Sequence, residues 1–429
     1  MSQYLRVFDE NGRPSGQWGR FDRLLEDLLE HKRELKAGTG GFGSFAQVVK
    51  WEQLIGGVLC VQLPDRDLLN SFDTTRICMS ALEKCASSGE SDVVKARRMF
   101  VRACEVDVAT LITKGDRAFT IHSSLSLPLS ATGEFVYQGA VVRCATSPPV
   151  LPPIMNDVAN AELTEMWRRC KYLPTQVSVA ALTASDAVRR GVRLLNLMRA
   201  LLSLRYGIGR ESIQLHGRRD APLAMVHLGP LHLVAEGGSA ACIDDAWDEE
   251  LYTKDWKPFP AATDWDETAV ELKSLLGRVS ALPYRLQMED LLCRYVSALD
   301  ETRWPVTLLQ LWSVVEKITD TIGRNQKQLA SRASRVFSDG ALARDVIEAV
   351  RCTRNRLVHA GHARPLNERW ASEVKRTVEA HLHHLLFNTF GVDSTDEYSA
   401  LLAMPRATAV LCREIALRQA MMKFEDEAK

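Results

Sequence analysis

ALARDVIEAVRCTRNRLVHA, Ala341 to Ala360, repeats its apolar residues at three- and four-residue spacing, as an amphipathic helix does. On a helical wheel, at about 100° per residue, Val346, Ile347, Val350, Leu357 and Val358 form one apolar stripe. Asn355 and His359, four apart, share an adjoining face. Arg354 falls within the stripe, and a guanidinium there is costly unless an anion meets it. Two anions are candidates: an internal carboxylate, with Glu316 in LLQLWSVVEKI the leading one, or a bound phosphate. The first alone makes Arg354 a structural residue. The second is favoured by Asn355 and His359, because an arginine, a polar amide and an imidazole together are what RNA phosphodiester cleavage requires.

The same periodicity extends to both sides of this stretch. Beyond Glu267 the spacing predicts helices over Glu267 to Leu282, Arg285 to Leu299, Pro305 to Ile322, Gln326 to Phe337, Ala341 to Ala360, Asn367 to Phe390 and Pro405 to Phe424. Residues 267–429 therefore read as an all-α helical bundle. Upstream, composition shifts across residues 243–266, where IDDAWDEELYTKDWKPFPAATDWD is acidic, aromatic and broken by proline. This reads as a linker and the main domain boundary, with Trp247, Trp256 and Trp265 docked on a neighbouring surface.

Residues 1–242 read as an α+β region. Leu54 to Leu63, Ala118 to Leu127, Glu134 to Arg143 and Leu223 to Ala235 have the alternation and the Gly or Pro bounds of strands. Asp92 to Cys104 and Ser185 to Tyr206 read as helices, the latter with Ser185 as cap and a stop at Gly207. The run SPPVLPPI, Ser147 to Ile154, either splits the region into two lobes or forms one surface loop.

Composition bounds the function classes. The chain has 429 residues, 46% apolar and 25% charged, which suits a folded protein of two or three domains. The formal net charge is zero, so contact with a polyanion must be a local patch. The ten cysteines show no C-x-x-C pair and no zinc spacing, and read as reduced thiols. No apolar leader and no run of about 18 apolar residues is present, so a cytoplasmic protein without membrane contact is expected.

Three patterns are decoys. GTGGFG, Gly38 to Gly43, satisfies G-x-G-x-x-G but follows the helix-like FDRLLEDLLEHKRELKA where a nucleotide loop follows a strand. His216, His227 and His232 lack carboxylate or thiol companions at ligand spacing, and read as structural. His362, His381, His383 and His384 read as surface or bundle histidines.

R-N-x-x-x-H at Arg354, Asn355 and His359, followed by Gly361 and preceded by a helix with Leu308, Leu311, Trp312 and Glu316, resembles the HEPN superfamily, within it the ApeA-like branch of bacterial anti-phage defence. The resemblance covers roughly residues 285–390 and says nothing of residues 1–240. It implies a helical bundle that dimerises so that two motifs face one cleft, and a metal-independent endoribonuclease with no cofactor. It also implies catalytic positions at Arg354, Asn355 and His359, with Glu316 supporting them. His359, at the helix C-terminus, would exchange a proton near neutral pH, and Arg354 would stabilise charge on the phosphoryl oxygens. Some HEPN domains are catalytically silent, so a dimerisation or interaction module is the alternative. In either case the N-terminal region would sense or regulate, through a phage-derived or protein trigger.

Local charge points the same way. Between Arg324 and Arg376 the basic residues, Arg324, Lys327, Arg332, Arg335, Arg344, Arg351, Arg354, Arg356, Arg364, Arg369, Lys375 and Arg376, outnumber Asp339, Asp345, Glu348, Glu368 and Glu373. Arg351, Arg356 and Arg364, nearest the motif, are the candidate RNA contacts.

Overall fold

The computed structural model describes residues 4–8, 14–15, 19–38, 59–63, 71–90, 92–144, 165–167, 169–207, 223–237, 243–249, 252, 264–322, 326–360 and 368–427. Mixed α+β structure comes first and helices follow, as the hydrophobic periodicity predicts.

A small three-stranded antiparallel sheet, in the order β2-β1-β3, is formed by β1 (Leu5–Phe8), β2 (Pro14–Ser15) and β3 (Leu59–Val61). It packs with α1 (Gly19–Lys36), α2 (Ser71–Ser88) and α3 (Val93–Lys114) around Leu25, Leu28, Leu82, Phe100 and Cys104. Asp92 caps α3 by accepting from the Val94 and Lys95 amides at 2.8 and 3.1 Å.

A second, six-stranded antiparallel sheet has the order β5-β6-β7-β4-β8-β9. Its strands are β4 (Arg117–Leu125), β5 (Gly133–Tyr137), β6 (Ala140–Cys144), β7 (Leu173–Ala181), β8 (Leu231–Glu236) and β9 (Ile243–Asp248). Helix α4 (Ala184–Tyr206) lies across one face. Gly191 permits that approach, since a Cβ there would stand 3.0 Å from Ile121 Cδ1.

The remaining helices are α5 (Trp265–Ala281), α6 (Arg285–Asp300), α7 (Trp304–Ile318), α8 (Leu329–Ala333, between two 3₁₀ turns), α9 (Gly340–Ala360), α10 (Glu368–Leu386), α11 (Thr395–Ala403) and α12 (Thr408–Glu427).

The structure revises several expectations. Glu134 to Arg143 is a hairpin, β5 and β6, turned by Gln138 and Gly139 at positive φ. The central strand β7 was not foreseen. Thr183, not Ser185, caps α4, its hydroxyl accepting the Asp186 amide at 3.1 Å. The start of the expected linker is the edge strand β9, paired with β8.

Hydrophobic cores divide elsewhere than at residues 243–266. One core belongs to the small sheet and α1 to α3. The other runs without a break from Phe119 in the large sheet to Leu402 in α11. Trp265 is buried in it, donates Nε1–H to the Thr132 carbonyl at 2.7 Å and meets Phe135 edge-on. Hydrogen bonds from the Leu223 and Ala224 amides to the Leu299 carbonyl, at 2.7 and 3.1 Å, and from the buried Lys375 ammonium to the Gly207 carbonyl, at 2.8 Å, tie sheet region to helices. Trp265 in this core and Trp247 packed against it carry the core across the acidic segment, while Trp256 lies outside the described residues.

Candidate functional site

Helix α9 presents Ala343, Ile347 and Val350 to the core, where Ile347 and Val350 line a narrow gap with Trp312 and Val315 of α7 and Val374 of α10. One turn beyond Val350 on the same stripe stands Arg354. Val358, assigned to that stripe, is 50% exposed, so the apolar face ends before the last turn.

The arginine is half-buried, its side chain 22% exposed, and its Nη2 lies 3.6 Å from Glu316 Oε1, whose side chain is 12% exposed. That separation makes an ion pair but exceeds a good hydrogen bond. The W-x-x-x-E spacing places Trp312 one turn before Glu316, and its Nε1–H donates to the same Oε1 at 3.0 Å. Arg354 Nη1 donates to Asn355 Oδ1 at 3.2 Å, while its buried Nε has no hydrogen-bond partner. The guanidinium therefore keeps unused donors beside one shared carboxylate oxygen.

Arg354, Asn355 and Glu316 thus come together as a cluster. His359 sits in the last turn of α9, four residues after Asn355, with its side chain outside the described residues. Arg364, Gly361, His362 and Arg324 also lie outside them. Arg351 is clamped by Glu348, with Nε 3.0 Å from both oxygens. Arg356 is exposed and donates to Thr353 Oγ1 at 3.3 Å.

The basic footprint is smaller than counting residues implied. Lys375 is buried and pairs with Glu379 at 2.6 Å, so it offers nothing to a polyanion. Arg376 pairs with Glu373 at 2.9 Å and lies over the Phe337 ring. Arg332 donates to the Thr319 carbonyl at 2.7 Å. Lys327, Arg344, Arg356 and Arg369 remain exposed. Arg406, outside the counted stretch, joins Lys327 and Arg344 in a groove of about 510 Å³. It is held against Gly340 by bonds to the Ser331 carbonyl and Ser334 Oγ at 2.9 and 2.6 Å. Only tertiary packing brings it there, so no sequence signal marked it.

Three of the other histidines are held by hydrogen bonds within the fold. His381 is buried: Nε2–H donates to the Ala333 carbonyl at 3.0 Å, leaving Nδ1 to accept from the Tyr398 hydroxyl at 2.8 Å. Burial pushes its pKa down to about 4, so it is neutral. His227 donates to the Ala224 carbonyl at 3.0 Å, and His232 meets Ser123 Oγ at 2.9 Å. His383 and His384 lie against Phe387 and Phe390, and His216 is outside the described residues. Gly38 ends α1 at φ +70°, and the rest of GTGGFG is likewise outside. Among the described residues no three His, Cys, Asp or Glu side chains gather as a cation site, and no helix is long and apolar enough to cross a membrane.

Comparison with protein-family models, with curated proteins and with solved structures returns no match to this chain.

Proposed function

We propose that this protein is a metal-independent endoribonuclease of HEPN type, acting on RNA as a homodimer whose two α9 helices share a cleft. The observation that carries the reading is the half-buried Arg354 guanidinium with unused donors, in a cluster with Asn355, which stands one helical turn before His359. A phosphate oxygen supplies the acceptors that Glu316 does not. The RNA 2′-hydroxyl gives its proton to His359 as general base and attacks its own phosphate, the P–O5′ bond breaks, the 5′-oxygen leaves with a proton returned by the imidazolium, and Arg354 stabilises the charge that develops. The resemblance to defence-associated HEPN proteins makes the chain a toxin-like effector against phage, with the α+β region receiving a phage-derived or protein trigger.

The 3.6 Å pair between Arg354 and Glu316 favours a second reading, a catalytically silent dimerisation or interaction module in which the carboxylate is the guanidinium's whole purpose. The two readings part on one experiment. His359→Ala should remain folded and lose RNA cleavage, and the wild-type products should carry 2′,3′-cyclic phosphate in the presence of chelator. Undiminished cleavage by folded His359→Ala protein, or strict dependence on divalent metal, refutes the first reading.

A further inference from the structure

A cleft of about 920 Å³ with no α9 residue in its lining opens where residues following β3 meet the end of β7, the turn between β5 and β6, and the first turns of α4 and α6. We propose that this cleft binds a phosphorylated, ring-bearing small molecule of the nucleotide class.

Its charge is unusual for a structural crevice. Arg189, Arg190 and Arg193 line it from α4, at spacings that keep them on neighbouring faces of the helix, and Arg285 lines it from α6. Their partners are shared two to one. Asp186, itself buried, holds Arg189 at 2.7 Å and Arg190 at 2.9 Å. Glu289, also buried, holds Arg193 at 3.3 Å and Arg285 at 2.9 Å, and takes the Tyr137 hydroxyl at 2.7 Å as well. Asp116 adds one more carboxylate to the lining. Four guanidinium groups thus face three carboxylates; Arg190 Nη1 also donates to the Ala180 carbonyl at 3.0 Å, and the two buried acids can accept from only some of the N–H donors of the four arginines.

Two buried carboxylates at the base hold the arginines in place in advance of a ligand. Planar forks held in this way match phosphate oxygens, where a loose lysine would act only as a point charge. The cleft is also far larger than a bare phosphate requires, and lies within the size range of small-molecule sites. Leu182, Leu194 and Leu197 give it a buried apolar wall, and Leu286 is exposed at its edge. Leucine beside guanidinium suits a ring carried by a charged tail. Because the lining joins the N-terminal part of the chain to α6 of the bundle, occupancy would bridge the two cores.

The inference is independent of RNA cleavage, since its test reads binding. The full chain is titrated calorimetrically with inorganic pyrophosphate, then with ATP, GTP, CTP and UTP, all without metal. Pyrophosphate should bind with a dissociation constant of about 1 mM or tighter. At least one nucleoside triphosphate should bind about tenfold tighter, from the added contact of its ring. In Arg190→Gln/Arg193→Gln each buried acid keeps one arginine partner, Arg189 or Arg285, so the fold should survive while binding weakens about tenfold or more for each guanidinium removed. Should the double variant not fold, Arg193→Gln alone decides. Absence of pyrophosphate binding overturns the proposal, as does equal binding by the variant, which would put the anion at another basic surface. Failure of every triphosphate to exceed pyrophosphate overturns the ring-bearing part.

Discussion

Arg199 on α4 and Arg354 on α9 are both arginines set among apolar residues, and the chain treats them differently. Arg199 is 1% exposed and bonded at each of its three nitrogens: Nε donates to the Val226 carbonyl at 2.8 Å, Nη1 to Asn196 Oδ1 at 2.6 Å, and Nη2 meets Asp300. Burial alone would raise the Asp300 carboxyl, but Arg199 and His227 together hold it below its usual value. Arg354 is half-buried, and its carboxylate partner stands at ion-pair distance and also serves Trp312. A guanidinium that exists to hold a fold together has its donors matched from within the chain. One that keeps donors unmatched at the edge of a core is set up to receive something else.

The largest effect expected from this contrast is on stability at the Arg199 centre. Arg199→Ala strands the buried Asp300 and should cost roughly 3–5 kcal/mol, read as a shift in denaturant midpoint. Arg354→Ala should cost about 1 kcal/mol by the same measurement and lower RNA cleavage by about 10²–10³. Equal losses of stability at the two sites would erase the distinction between them.

The comparison also shows what a sequence discloses. Helices α5, α6, α7, α9, α10 and α12 were legible because a 3.6-residue apolar period is local, and α9 begins and ends within a residue of its expected bounds; α11 was not, and the expected helix Gln326 to Phe337 holds only the five residues of α8 between two 3₁₀ turns. Glu316 was legible as the partner of Arg354 because it sits one turn from Trp312 on a strongly apolar helix. Strand β7 was not, since LPTQVSVAA interleaves Pro174, Gln176 and Ser178 with its buried residues, one of which is the polar Thr175, and lacks a long apolar run. Strand β9 escaped because an edge strand is held by backbone pairing on one side and tolerates the acids of IDDAWD. Arg406, and Arg285 beside the three arginines that α4 contributes to the 920 Å³ cleft, are gathered by packing between distant segments, which no spacing rule records.

A third expectation concerns the saturated histidine of the bundle. The His381 pKa falls from its ordinary 6.5 to about 4 because burial disfavours the imidazolium, with the neighbouring His384 adding in the same direction. Between these values the unfolded chain takes up a proton that the folded chain refuses, so stability falls as pH drops from about 6.5 to about 4, by on the order of 3 kcal/mol. In His381→Gln this part of the decline should vanish, although the variant is weaker at every pH for want of a full partner to Tyr398. Carboxylates and the other histidines titrate in both proteins and cancel in the difference. An identical decline in the two would mean that His381 is not the group responsible.

The smallest expected effect is the most discriminating, and it lies at Glu316. Glu316→Gln keeps an oxygen to accept from Trp312 Nε1 and removes only the negative charge facing Arg354. If the carboxylate is the guanidinium's whole purpose, the substitution leaves a half-buried cation unopposed, and the loss of stability should approach the roughly 3–5 kcal/mol of a broken buried pair. If Arg354 instead faces a phosphate, the pair is a weak one at 3.6 Å and its charge term is worth about 1 kcal/mol or less, with cleavage changed only about threefold. A double-mutant cycle over Arg354→Ala and Glu316→Gln, read in both stability and cleavage, isolates the pair term from the loss of each side chain alone. A coupling of several kcal/mol in stability with none in cleavage would make the pair a structural clasp. Weak coupling in stability with cleavage lost at Arg354 alone would make it a tether that holds the guanidinium ready without neutralising it.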